Sequence, residues 1–279
     1  MNYAASPAPS SPAPTPDARF VVSLSGVSVA FDGPPVLMEV SFSVAPAETR
    51  ILLGPAGVGK SVLLKTIVGL LRPQSGQIEL FDEDITHMPE EKLFPLRSRT
   101  GFVFQEGALF DSLTVRDNVA YQLIQERVPD EEIDTRVREA LSFVGLEGTF
   151  ALYPTALSGG MKRRVAIARA LIHHPELILY DSPTGGLDPV TSTTIIELIV
   201  KQRDVHATPA LMVTHRLQDA FTLCNHRFDR ELNRMVRLPK GQFNAHTTFL
   251  MLEDGRLIFD GSLDELIHSE NTFVREFLE

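Results

Sequence analysis

Gly54-Pro55-Ala56-Gly57-Val58-Gly59-Lys60-Ser61 matches the pattern G-x-x-x-x-G-K-[ST] at every fixed position. Its glycines let backbone N–H groups turn inward around a phosphate, and the helix that must follow adds the positive end of its dipole. In that arrangement Lys60 brings a point charge to the β- and γ-phosphates of a nucleotide, and the Ser61 hydroxyl is a ligand for Mg²⁺. The flanks agree. Thr49-Arg50-Ile51-Leu52-Leu53 is short and mostly apolar, as a buried strand requires. Beyond the loop, Leu63, Leu64, Ile67, Val68 and Leu71 recur at helical spacing over 61–71, and Pro73 and Gly76 mark the stop.

Three more runs repeat this design. Gly101-Phe102-Val103-Phe104 leads to Gln105, Leu177-Ile178-Leu179-Tyr180 to Asp181, and Leu211-Met212-Val213-Thr214 to His215. Short apolar runs of this kind suit strands of a parallel sheet covered on both faces, in which ligands sit beyond the carboxyl ends of the strands. One site assembled from four strand ends is the expectation. Asp181 is the acidic partner of the phosphate loop, holding Mg²⁺ through water. Helices are expected over 119–128, 133–144, 159–173 and 190–200. Residues 21–44 alternate apolar and polar with a turn near Gly33-Pro34-Pro35, which predicts an antiparallel sheet beside the core.

Composition narrows the function. The net charge of −10 argues against a non-specific grip on nucleic acid. The single Cys224 rules out a disulfide within the chain and reads as a small buried hydrophobe. The stretch 1–17 is almost all Ala, Pro and Ser, without the basic start and apolar block of a signal peptide, and is expected to be a disordered tail. The most apolar region, 51–71, is interrupted by Lys60, Lys65 and glycines, so no membrane span is expected. A cytoplasmic location follows, unless a partner holds the chain at a membrane.

Leu157-Ser158-Gly159-Gly160-Met161, ahead of Asp181, resembles the signature motif of ABC ATPases. The resemblance covers nearly all of 21–270. It implies an α/β fold: a P-loop NTPase (RecA-like) core with a mostly parallel sheet, an antiparallel β-subdomain and an inserted α-helical subdomain. The implied division is a tail over 1–18 and an ABC ATPase domain over 19–279. Within that domain, 19–105 and 173–279 form the nucleotide-binding core, 106–172 the helical subdomain and 225–248 an inserted hairpin. By the same resemblance Phe31 looks like the aromatic that stacks on adenine. Gln105 looks like the Q-loop glutamine and is counted with Ser61 and Asp181 as a metal contact. Gly186-Leu187-Asp188 resembles the D-loop, and His215 the switch histidine. Pro55, Ala56, Val58 and Val62 join the glycines, Lys60 and Ser61 around ATP.

Ser158-Gly159-Gly160 opens a helix and is a second anion site. One chain has one phosphate loop and one such helix start, which in the family face each other only when two copies pack head to tail. The implied state is a homodimer with Mg²⁺-ATP between Lys60 of one copy and Ser158 of the other. The stretches 59–65 (with Val62 where most relatives have Thr), 104–113 and 157–165 look like the Mla-type, Mkl-like group. That likeness implies phospholipid transport between bacterial membranes with a MlaE-like permease and an MCE-domain protein, on the cytoplasmic face of the inner membrane. The apolar Ala108-Leu109-Phe110 fits a permease groove or packing inside the helical subdomain. Another transported solute stays open.

Two features depart from the family. Ser182 stands where a glutamate usually polarises the attacking water. A hydroxyl can hold that water but accepts no proton near neutral pH. Three readings follow: proton transfer through His215 and the γ-phosphate, a slow ATPase or nucleotide clamp, or a substitution introduced to trap ATP. The other departure is the insertion 225–248, with Arg227, Arg230, Arg234, Arg237 and Lys240. It reads as a solvated surface hairpin, or as one that touches a partner.

Overall fold

The computed structural model describes residues 20–279; the tail expected over 1–18 lies outside them. Strands β1 (Val22–Val29) and β2 (Leu37–Val44) form the expected antiparallel hairpin. Their alternating apolar residues are the buried ones. Next come β3 (Thr49–Leu53) and helix α1 (Lys60–Ile67), which ends four residues short of Leu71. The reason is local. Gly69 adopts φ +68°, and a Cβ there would stand 2.9 Å from Leu93 Cδ1, so the chain turns instead of continuing.

Strands β4 (Ser75–Leu80) and β5 (Glu83–Asp84) complete a four-stranded sheet in the order β2-β1-β4-β5. Helix α2 (Glu90–Ser98) then enters β6 (Thr100–Val103). Residues 106–172 contain α3 (Val115–Gln125), α4 (Asp130–Phe143) and α5 (Gly159–Leu171), with two short 3-10 turns between α4 and α5. The chain returns through β7 (Leu177–Asp181), α6 (Pro189–His206), β8 (Ala210–Val213) and α7 (Leu217–Asn225). It continues through β9 (His226–Asp229), β10 (Arg234–Arg237), β11 (Thr247–Glu253) and β12 (Arg256–Gly261) to α8 (Leu263–Ile267) and α9 (Thr272–Leu278).

The central sheet runs β12-β11-β3-β8-β7-β6, with only β12 antiparallel to its neighbour. Every residue of β3, β7 and β8 is buried. Because side chains alternate along a strand, each strand feeds two cores. Ile51, Ile178, Tyr180 and Met212 pack with α3 to α7, whereas Leu52, Leu179, Leu211 and Val213 pack with α1, α2 and the antiparallel sheet. Both layers thus meet the sheet that ends at the candidate site.

The insertion forms an antiparallel β9–β10 hairpin, with Phe228 opposite Met235. One face is fastened to α6: the Met235 N–H donates to Glu197 Oε1 at 2.7 Å and the Phe228 N–H to Asp204 Oδ2 at 2.7 Å. Arg227, Arg230, Arg234 and Arg237 are exposed. Cys224 is buried, and burial pushes its thiol up to about 12. Among the described residues no helix is long and apolar enough to cross a membrane.

Candidate nucleotide-binding site

The loop from Gly54 to Gly59 sits between β3 and α1. Gly54 has φ +147° and a Cβ there would lie 2.5 Å from the Leu252 carbonyl, so only glycine fits. Gly57 (φ +81°) and Gly59 (φ +103°) keep the loop in conformations that turn successive amides toward one side, an anion-binding concavity. Pro55, Ala56 and Gly57 are exposed, while Val58 and Val62 are half-buried against the core.

Lys60 Nζ donates to the carbonyls of Gly54 at 2.8 Å and Pro55 at 2.6 Å. Two loop carbonyls thus hold the ammonium at the mouth of the loop. Burial lowers the Lys60 pKa, opposed by the charge of Asp181. The Ser61 hydroxyl donates to Asp181 Oδ1 at 2.9 Å. Burial raises the Asp181 pKa, opposed by that hydrogen bond and by Lys65 and Lys60. These two hard oxygens, one hydroxyl and one carboxylate, fit Mg²⁺, which takes few protein ligands and keeps waters and phosphate oxygens as the rest.

Ser182 follows Asp181 in the left-handed region, φ +45°, and is buried. Its N–H donates to Val213 O at 3.0 Å, which holds the ends of β7 and β8 together. The exposed His215 projects from the end of β8, which pairs with both β3 and β7. Exposed Gln105 reaches the same turn: its Nε2 lies 3.7 Å from where a Cβ on Gly185 would stand. Phe31 is 55% exposed in the β1–β2 connection. That connection abuts the phosphate loop where the Val36 carbonyl stands 3.0 Å from a Cβ built on Gly59.

Ser158 and Gly159 are exposed at the start of α5, where Ser158 Oγ caps the helix by accepting from Met161 N at 3.2 Å. Gly160 is buried against Thr191 of α6. A Cβ on Gly159 would lie 3.8 Å from Leu187, so this helix start packs beside the turn that leads into α6. Asp188 caps α6, accepting from Thr191 N at 3.0 Å and Thr191 Oγ1 at 2.5 Å, and these bonds hold its carboxyl below the usual range.

Several supporting residues were not anticipated. Arg169 donates to the carbonyls of Gly107 and Ala108, both at 2.7 Å, and Arg163 to those of Phe104 and Gly185. Asn118 binds Phe110, Leu113 and Thr114. The available signal for Arg163 was its position: three residues beyond Gly160 and four before Ile167, on the buried stripe of α5.

A phosphate loop opening a helix, a buried strand-end aspartate bonded to its serine, and polar residues at neighbouring strand ends define a nucleotide-binding core of the P-loop class. The ABC transporter family model matches residues 37–185, more than half of the 279 residues, and the chain belongs to that family. It is 37% identical over 240 residues to the methionine import ATP-binding protein MetN 2 of Bacillus cereus, covering 86% of this chain and 66% of that protein. It is also 37% identical over 203 residues to the probable ribonucleotide transport ATP-binding protein mkl of Mycobacterium tuberculosis, covering 72% and 56%. The chain therefore spans just under two thirds of the first relative and about half of the second. Among solved structures, cbiO1 from Clostridium perfringens, part of the ABC transporter complex cbiONQ, aligns with TM-score 0.74 and 26% identity, over 90% of this chain and 92% of that one. The dimeric ATP-binding cassette MJ0796, in a post-hydrolysis state with ADP and Pi, gives TM-score 0.73 and 28% identity over 87% and 98%. The fold is that of an ABC ATPase cassette.

Proposed function

We propose that this chain is the ATP-binding and hydrolysing subunit of a membrane transporter and works as a head-to-tail pair of copies. The observation that carries this reading is the cluster of Lys60, Ser61 and Asp181 around a loop shaped for phosphates. Ser158 and Gly159 are exposed while Gly160 packs on Thr191 of α6, which leaves this helix start free to form the other wall of a second copy's site. Mg²⁺ would be held by Ser61 and Asp181, with Gln105 as a further oxygen ligand, and would screen the phosphate charge. Lys60 leaves the Gly54 and Pro55 carbonyls to bind phosphate. Phe31 offers a face for adenine. Ser182 orients water through its hydroxyl but takes no proton, so His215 and the γ-phosphate itself carry the transfer, and hydrolysis is slow.

The proposed permease contact lies beside Gln105. Phe110 and Tyr121 pack in a tilted pair with centroids 4.9 Å apart and are 45% and 41% exposed. Asn118 fixes the loop that presents Phe110. Exposed apolar residues held in place in this way mark a protein partner. For the cargo we favour phospholipid, with a MlaE-like permease and an MCE-domain protein at the cytoplasmic face of the inner membrane. The support is the likeness of 59–65, 104–113 and 157–165 to the Mla-type group. Relatives named for methionine and ribonucleotide transport supply the competing cargoes.

Phosphate release by the assembled transporter tests the enzyme reading; turnover no higher than in a Lys60→Ala control rejects it. Mass spectrometry of co-purified membrane partners separates the cargo classes. Ser182 supports one second reading, a clamp that closes on ATP without splitting it. That reading requires ATP-dependent dimers with no phosphate release.

A further inference from the structure

We infer that Arg163 is a clasp that makes the turn before Gln105 and the turn after Ser182 move as one with the helix beginning at Ser158. Arg163 lies one turn into α5 and is buried. Its Nη1 donates to the Phe104 carbonyl at 3.2 Å and its Nη2 to the Gly185 carbonyl at 3.1 Å. Phe104 immediately precedes Gln105. The Gly185 N–H donates back to the Ser182 carbonyl at 2.9 Å, closing the turn that holds Ser182. The two carbonyls lie 59 and 22 residues from Arg163 in sequence, on separate loops.

Burial lowers the pKa of this guanidinium, with the charge of Glu106 opposing. Its fork is thus spent on two main-chain carbonyls in a desolvated place, an unfavourable use of arginine unless the geometry is needed. A hollow of about 340 Å³, lined by Gln105, Glu106, Gly185, Gly186 and Leu187 among others, leaves the two loops room to shift. Arg163 spans the loops at its edge. An anion seated on the α5 N-terminus pulls on a rigid helix, and one turn along, the clasp passes that pull to both loops. On the head-to-tail reading proposed above, on which this inference rests for its effect on turnover, ATP held by a partner's phosphate loop thereby sets Gln105 and Ser182 of this copy. Arg163 acts through those loops and is a positioning residue.

Lysine keeps the charge and much of the stem but cannot span two carbonyls. Hydrogen–deuterium exchange on the full chain, with and without Mg²⁺-ATP, compares the parent with Arg163→Gln and Arg163→Lys. In the parent, ATP slows exchange at 158–163, 104–108 and 182–187 together. In both variants the response at 158–163 persists while protection of the two loops falls to the part that this copy's own Mg²⁺-ATP supplies, several-fold below the parent's. Saturated turnover falls about tenfold, an ordinary size for coupling between sites, with half-saturating ATP nearly unchanged. Parent-like exchange and turnover in Arg163→Lys overturn the clasp, as does a variant whose only change is a lower melting temperature. If the parent itself releases no phosphate above Lys60→Ala, the hydrolase reading fails, and the exchange pattern still decides the clasp.

Discussion

The Thr184 hydroxyl donates to the Asp219 carboxylate, tying the turn after β7 to the first turn of α7. Both residues are buried. Arg216, next to His215, strengthens the link by donating to the Thr184 carbonyl at 3.1 Å and to Ser192 Oγ at 2.9 Å. Side chains therefore lock the segment carrying Ser182 to the segment carrying His215. Thr184→Val keeps the shape and removes the donor, leaving a buried carboxylate one hydrogen bond short. The expected loss is about 1–3 kcal/mol, read from urea unfolding at neutral pH. An unchanged midpoint would show that the carboxylate finds another partner.

Asp181 makes a pH prediction. Burial raises its carboxyl above the usual value, so the fold prefers the neutral acid. The stability this contributes is complete at low pH and is lost as pH rises through the raised value. Asp181→Asn imitates the neutral form. The nucleotide-free variant should melt above the parent at pH 7 to 8, and the gap should close as pH falls below about 4, the ordinary carboxylate range. Mg²⁺-ATP should reverse the order, because only the parent carries the carboxylate that the cation needs. Differential scanning fluorimetry across pH checks both halves.

Ser182 predicts a gain. A positioned general base is worth about 10²- to 10⁴-fold, and position 182 is buried beside Asp181 with its backbone already held by Val213. Ser182→Glu should raise phosphate release toward that range while leaving half-saturating ATP within a few-fold. No increase would mean that the chemical step is not limiting, or that His215 already serves as the base.

The nucleotide-binding core was legible because its signals are local. The phosphate loop is one contiguous octapeptide, and each parallel strand is a short apolar run with a polar residue at its end. Residues 75–80 also carried a signal, since Ile78 and Leu80 are the buried members of an alternating strand, but the run is short and begins with exposed polar residues. Helix α2 was hidden by Pro95 in its interior. The supporting arginines were illegible for another reason. Arg163, Arg169 and Arg216 bind main-chain carbonyls far away in sequence, and a carbonyl carries no residue identity to recognise. On the proposed head-to-tail pairing, Ser158 meets a phosphate only in a second copy, which no single chain displays.

Gly160 supplies a prediction about packing at that helix start. A Cβ there would stand 2.3 Å from Thr191 Cγ2. Thr191 cannot simply rotate away, because its hydroxyl and its N–H both bond the Asp188 carboxylate that caps α6. Gly160→Ala should therefore force α5 and α6 apart and destabilise the chain by about 1–3 kcal/mol, the usual scale for overpacking. Thr191→Ser removes the offending methyl and keeps the cap. In that background most of the loss should disappear, so the pair should be strongly non-additive. Urea unfolding of the parent, the two single variants and the double variant measures this coupling. An equal loss from Gly160→Ala in both backgrounds would show that the helix start yields by moving its backbone, and that the contact with Thr191 does not hold Ser158 in place.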